Sequence, residues 1–340
     1  CIILSRRIWL FAIFLVGCDW TDNSFAPNQD DLDRIASILG QESIALPPQP
    51  VIEAQTPELG LSDTRISLGN ALELGECGLL PLIAERNSSL GRQKQESTRL
   101  IYEWTLKSGL DQCSQFNQEE WFQKARTAKT RDVEIAVIKL LMWSEEADRI
   151  HSKINKPFAS LDESRIAYLN RTQPIVQVIT QALQQSAPPS NETITQFEDS
   201  LRAWSQTQHH GTLHQAIIEA QIWLQKANTL QSQALKANRL CPMGTPTEGG
   251  RNMRLFIRNY FGNTIQPKLS SMTRALDELG STWSTLPITL WSGNTLIDGL
   301  LQVPPRYRDE FRNELKTHIH NWQQLLQSCG LSARAETTNS

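Results

Sequence analysis

Four consecutive residues, Glu85, Arg86, Asn87 and Ser88, set a carboxylate, a guanidinium, an amide and a hydroxyl side by side in the segment CGLLPLIAERNSSLGR, Cys77 to Arg92. Converging at one bend, they would form a polar binding site. The same residue types also suit the end of a helix before a glycine turn, where Arg86 satisfies terminal carbonyls and Asn87 or Ser88 bonds the backbone. The helix-end role is the expected one, with the polar site as its alternative. His209, His210 and His214 come nearest to a metal site, because positions 210 and 214 would share a face if a helix ran through Gly211. Gly211 is expected to interrupt that helix, which leaves surface imidazoles at a polar boundary. His318 and His320, two apart on a predicted helix, point to different sides. No metal and no cofactor is therefore expected.

The remaining chemistry belongs to the cysteines. Arg6 and Arg7 precede the short apolar run Ile8 to Val16, which is far below the roughly 20 residues of a membrane-spanning helix. The run ends in Leu15-Val16-Gly17-Cys18, which resembles the lipobox of bacterial lipoproteins. That resemblance implies cleavage before Cys18, acyl chains on its thiol, and a protein held on a membrane surface facing the periplasm. Asp19 resembles an inner-membrane retention signal and favours that membrane over the outer one. With Cys18 assigned to lipid, Cys77, Cys113, Cys241 and Cys329 remain, an even number that in an exported chain reads as two disulfides. Four cysteines allow three connectivities. A helical hairpin turning at Leu90-Gly91 would bring Cys77 to Cys113. Cys241 and Cys329 each follow the last turn of a long predicted helix, so parallel neighbouring helices would join that second pair.

Composition narrows the partners. The 340 residues carry a formal net charge of −3, and loss of Arg6 and Arg7 with the leader makes the chain slightly more acidic. Dispersed, mildly acidic charge argues against nucleic acid and against polybasic membrane docking. A hydrophobic content of 39% with ten tryptophans supports a packed core, and tryptophans at helical spacing, Trp104 to Trp322, are expected there rather than in an open aromatic groove. Nucleotide-binding, P-loop, nucleophile-elbow, zincin and C-x-x-C motifs are all missing, which lowers the expectation of those enzyme classes.

The elements that must position these groups are nearly all helical. After the leader, residues 1 to 17, residues 18 to 62 read as a tether with a brief acidic helix from Asp30 to Leu39 and a proline-rich connector. Residues 63 to 332 read as one all-α, irregular multi-helix domain with antiparallel hairpins and two disulfide staples, and residues 333 to 340 as a disordered tail. Thr130 to Ile154 has an apolar surface broad enough for a central helix buried from several sides. Leu213, Ile217, Ala220, Leu224 and Ala227 step by four and three, the spacing of a helix seam. Breaks are expected at Asn155-Lys156-Pro157, Ala187-Pro188-Pro189, His210-Gly211, Cys241 to Gly250 and Pro304-Pro305. Ser190 or Asn191 suits a helix N-cap, and Gly330 a C-terminal stop.

The Cys77 to Arg92 segment, followed by Ser97 to Glu103 and Cys113, resembles the bacterial lipoprotein family called domain of unknown function 3080. Cys241-Pro242, Asn259-Tyr260-Phe261 with Ile265-Gln266-Pro267, Leu290-Trp291 and Trp322 to Leu331 extend the likeness over residues 60 to 332. The resemblance implies a membrane-anchored envelope protein and brings no catalytic residues. The expected function is a non-catalytic module that binds an envelope protein partner or a small amphipathic ligand between helices. The alternative is a hydrolase or transferase with an unrecognised site.

Overall fold

Asn28 opens the structure with a reciprocal cap. Its side chain accepts from the Asp31 N–H while Asp31 Oδ2 accepts from the Asn28 N–H, which satisfies two free donors at the start of α1, Gln29–Leu39. The computed structural model describes residues 26–48, 59–60, 67–88, 95–152, 161–302 and 305–332. The leader with Cys18, the connector from 49 to 58, the Leu90-Gly91 turn, the Asn155-Lys156-Pro157 break and the tail lie outside them. Every described element is helical, and no described helix is long and apolar enough to cross a membrane.

After α1 come α2, Leu68–Glu73, a 3-10 turn through Cys77, and α3, Leu80–Asn87. Next are α4, Glu96–Gln112, and α5, Glu120–Trp143, which form an antiparallel hairpin. Lys129 reaches Glu103 at 3.1 Å and Arg126 reaches Asp111 at 3.9 Å, so the register runs in opposite directions along the two helices. Leu74, Leu79, Tyr102, Leu106, Leu110 and Phe122 make a small core of their own, where the Cys77–Cys113 disulfide joins the 3-10 turn to the end of α4 with Cα atoms 5.6 Å apart. The expected pairing holds.

The main core forms around α5 and the helices that follow. Ile135, Ala136, Val137, Ile138, Leu140 and Leu141 have no exposed surface, as a centrally buried helix requires. The helix does not run on to Ile154 as expected. It stops at Trp143 because Ser144 is extended and its Oγ accepts from the Ala147 N–H, starting α6, Glu145–His151. Then follow α7, Leu161–Gln184, and α8, Asn191–Ser205, capped by Ser190.

The long α9, His209–Ala237, packs against α1, α6 and α7 and against the later helices. Its seam residues Leu213, Ile217, Ala220, Leu224 and Ala227 are fully buried, and each Leu or Ile contributes roughly 1.5–3 kcal/mol. Gly211 does not break α9, contrary to expectation. It lies in the first turn, where backbone N–H groups have no intrahelical partner to lose, so its helix-breaking cost is small there. A further correction concerns the tether. Leu32 and Ile35 of α1 are fully buried, and the Trp223 indole donates to the Asn28 carbonyl at 3.1 Å, so α1 belongs to the core.

Downstream, α10, Glu248–Phe256, continues through a π-helical segment, Ile257–Ile265, into α11, Gln266–Trp283. Pro267 explains the wider coil. In a regular α-helix its ring would press on the Asn263 carbonyl, a conflict that the π-segment just before it relieves, while its nitrogen donates no hydrogen bond in either coil. The chain continues with α12, Gly293–Leu301, and α13, Pro305–Ser328, which Gly330 closes at φ 63°. The buried pair Arg308–Asp298, at 3.0 Å, ties these two helices together.

Helices α9 and α13 lie parallel. Gln221 bonds Glu310 at 3.0 Å, Asn228 bonds Glu314 at 2.6 Å, and Gln231 bonds the His318 carbonyl at 3.3 Å, a nearly constant offset along both helices. Cys241 and Cys329 extend that offset past the helix ends and are disulfide-bonded with Cα atoms 5.0 Å apart. Gly250 is needed beside this bridge. A Cβ there would lie 2.8 Å from both Cys241 Sγ and the Leu240 carbonyl oxygen.

Candidate functional groove

A cleft of about 930 Å³ opens between α11 and α13, with the π-segment forming part of its wall. The volume falls within the range of small-molecule sites. On α13 the apolar positions Leu315, Ile319, Trp322 and Leu326 step by four and three, as on the buried seam of α9. Here the seam is only partly covered: Trp322 and Leu326 are buried, Leu315 is half-buried, and Ile319 is 46% exposed. Ile257 and Phe261 from the π-segment and Leu269 from α11 complete the apolar surface.

The rim is polar, and its charges are unevenly committed. Asp277 pairs with Arg312 at 2.8 Å, and Glu278 accepts from Arg165 of α7 at 2.7 and 2.9 Å. Arg258 and Arg274 are exposed at the same rim and make no hydrogen bond or ion pair among the described residues.

Behind the apolar wall runs a buried hydrogen-bonded chain. The Trp322 indole donates to His318 Nε2 at 3.0 Å, and His318 Nδ1 meets Asn228 Oδ1 at 3.1 Å. Trp322 can only donate, so Nε2 is the acceptor and Nδ1 carries the proton. Asn228 in turn donates to Glu314. Complete burial pushes the His318 imidazole down to about 3, which keeps it neutral and able to accept from Trp322. Phe261 lies 5.4 Å from His318 and 6.0 Å from Trp322 between ring centroids, so the π-segment rests on this fixed wall. On its other side Tyr260 donates to Asp31 of α1 at 2.6 Å, and Arg34 covers its ring at 4.8 Å. Burial, reinforced by the Asp31 carboxylate, raises the Tyr260 hydroxyl to about 12, so it stays a donor.

The residues singled out in the sequence lie elsewhere. Glu85, Asn87 and Ser88 are exposed or half-buried with Arg86 at the end of α3, where Ser88 Oγ donates to the Glu85 carbonyl at 2.7 Å. That contact is a helix-end role. None of the four lines the groove, whose walls come from the π-segment, α11 and α13.

His209, His210 and His214 are buried, not surface imidazoles as expected. Because α9 continues through Gly211, their rings turn inward, and His209 and His210 stack on Tyr168 at 4.8 and 5.0 Å. His214 Nδ1 meets the Leu301 carbonyl at 2.8 Å, while both ring nitrogens of His210 lack a partner among the described residues. Burial lowers all three, His209 to about 3 and His210 well below its ordinary range. Among the described residues no group of three His, Cys, Asp or Glu is placed to hold a metal ion. His318 is buried and His320 exposed, on different sides as expected.

The tryptophans are largely core. Trp104, Trp204, Trp223 and Trp283 are almost completely buried, and the Trp283 indole donates to the Tyr168 hydroxyl. Trp322 is buried too, yet one side of it borders the groove. The groove itself is not marked by any motif, although Gly262 and Pro267 around the π-segment and the second apolar seam of α13 were its available signals.

Fold and groove together define an all-α domain with two disulfides and an amphipathic cleft. The chain belongs to the family described as protein of unknown function DUF3080, which it matches over residues 28–333, from the cap of α1 to just beyond α13. Comparisons with curated proteins and with solved structures found no match.

Proposed function

We propose that this protein is a membrane-anchored envelope lipoprotein that holds a small amphipathic ligand in the groove between α11 and α13, without catalysing a reaction. The open apolar cleft with a polar rim is the observation that carries this reading. Its volume suits a small molecule better than the broad, shallow contact of a protein partner, which typically engages about 20–30 residues a side. The two rim carboxylates are already held by arginines, so they are poorly placed to act as a free acid and base.

The expected binding can be measured with lysophosphatidylcholine, a single-chain lipid without net charge, below the concentration at which it forms micelles. Saturable one-to-one binding is expected, with Ile319→Asp weakening it about tenfold, because a carboxylate would have to be desolvated beside the acyl chain. Ile319 is half in solvent, so the variant should fold normally. Equal binding by the variant and the unaltered protein would count against the groove as the site.

Anchoring rests on the lipobox-like sequence at Cys18, and it is supported by the two disulfides, which persist in oxidising compartments. Asn28 is ten residues beyond Cys18, a reach of about 35 Å when fully extended. Helix α1 would then lie within that reach of the bilayer. Growth with a fatty-acid analogue should label the protein and spare Cys18→Ala. Equal labelling of both would remove the anchor. Asp19 favours the inner membrane on this reading, and recovery in the outer-membrane fraction would reverse that assignment.

A further inference from the structure

We propose that the groove selects ligands with an anionic head, specifically a single acyl chain bearing a phosphate-containing head group of net negative charge. This inference rests on the reading of the cleft as an amphiphile site and adds the class of molecule. The sequence as a whole is mildly acidic, so an anion has no general attraction to it. The groove rim departs locally from that balance. Asp277 and Glu278 are neutralised by Arg312 and Arg165, whereas Arg258 and Arg274 are left without a counter-charge among the described residues.

The two uncommitted guanidiniums come from different elements. Arg258 stands on the π-segment one residue after Ile257, and Arg274 sixteen residues further along the same helical run, about 20 Å away, so each guards a different stretch of the rim and a head group meets one of them at a time. Both flank the apolar surface made by Phe261, Leu269 and Trp322. An acyl chain lying on that surface would bring its head to the rim, where a guanidinium gives a phosphate two parallel donors. A neutral or zwitterionic head gains less, since its own cation would face the same arginines. A cationic head would be repelled.

The test compares lysophosphatidylglycerol with lysophosphatidylcholine of the same chain length, binding the intact protein below micelle formation. Lysophosphatidylglycerol should bind about tenfold more tightly at low ionic strength, and the preference should shrink as salt is raised. In the double variant Arg258→Gln/Arg274→Gln the preference should vanish, because lysophosphatidylglycerol binding falls by about tenfold more than lysophosphatidylcholine binding does. Both arginines are exposed, so the variant is expected to keep its melting temperature. Equal affinity of the unaltered protein for the two lipids would overturn the charge selection and leave the groove reading standing. A preference that survives in the double variant would overturn the assignment to these arginines. Failure of both lipids to bind would remove the groove reading and the inference with it.

Discussion

Lowering the pH from 7 to 4.5 is expected to cost this protein about 3 kcal/mol or more of folding stability, mostly through histidines that the fold keeps neutral. Burial depresses His209 and His318 to about 3, whereas an exposed histidine in the unfolded chain titrates near 6.5. Above pH 6.5 neither state binds the proton, and the two groups leave stability unchanged. Below it the unfolded chain takes up protons that the folded protein refuses, so stability falls continuously until the folded groups titrate. At pH 4.5 each contributes a loss of about 3 kcal/mol. Asp298 works in the opposite sense. Burial raises it to about 6 against the pull of Arg308, so the folded state binds a proton first and recovers about 2 kcal/mol over the same range. His210, depressed still further, adds to the loss.

Urea unfolding at pH 7 and 4.5 measures the difference. The variant His210→Phe should have a shallower pH dependence than the unaltered protein and equal or greater stability at pH 7, because it removes two buried ring nitrogens that have no partner among the described residues. An identical pH dependence in both would show that His210 is open to protons in the folded state.

Removing the Cys241–Cys329 bridge is expected to cost about 4–5 kcal/mol in the chain-entropy account, since it closes a loop with a sequence separation of 88. That is a large share of a typical stability of about 5–15 kcal/mol, and it should lower the melting temperature by about 10 °C. The bridge fixes the parallel ends of α9 and α13, and α13 carries one wall of the groove. Cys241→Ser/Cys329→Ser should therefore also weaken lysophosphatidylcholine binding. The Cys77–Cys113 bridge serves the smaller core, with a separation of 36, and its removal should be milder and leave the groove intact. A loss below about 1 kcal/mol for the Cys241 and Cys329 variant, seen by urea unfolding, would mean that the interface bonds hold these ends without the disulfide.

Both pairings are legible in the sequence; for Cys241–Cys329 the reason is two parallel helices that end together, whereas the Leu90-Gly91 turn expected to bring Cys77 to Cys113 lies outside the described residues. The same reasoning locates the caps at Ser190 and Gly330 and the buried seam of α9. It fails at Gly211 and Ser144, where the local signal is weak in one case and masked by an apolar pattern in the other. A glycine is tolerated in the first turn of a helix, and a serine followed by two glutamates is a helix start even inside an apolar pattern. The first of these failures reaches the chemistry, since continuing α9 turns His209 and His210 from solvent toward Tyr168.

Spacing along one chain is enough to mark the protein as all-α and to show which faces of the helices are apolar, and with an assumed packing of neighbouring helices it selects the cysteine pairs that are observed. Which of those faces is covered depends on the packing of distant helices. Leu213, Ile217, Ala220, Leu224 and Ala227 on α9 and Leu315, Ile319, Trp322 and Leu326 on α13 read alike, yet the first seam is sealed by neighbouring helices and the second borders an open cleft. The same holds for charge. Arg258 and Arg274 look no different in the sequence from Arg165 and Arg312, and it is the crossing of α7, α11 and α13 that commits one pair to carboxylates and leaves the other at the groove rim. Periodicity records what a helix can bury, whereas an uncovered face arises from how segments far apart in the chain meet in space.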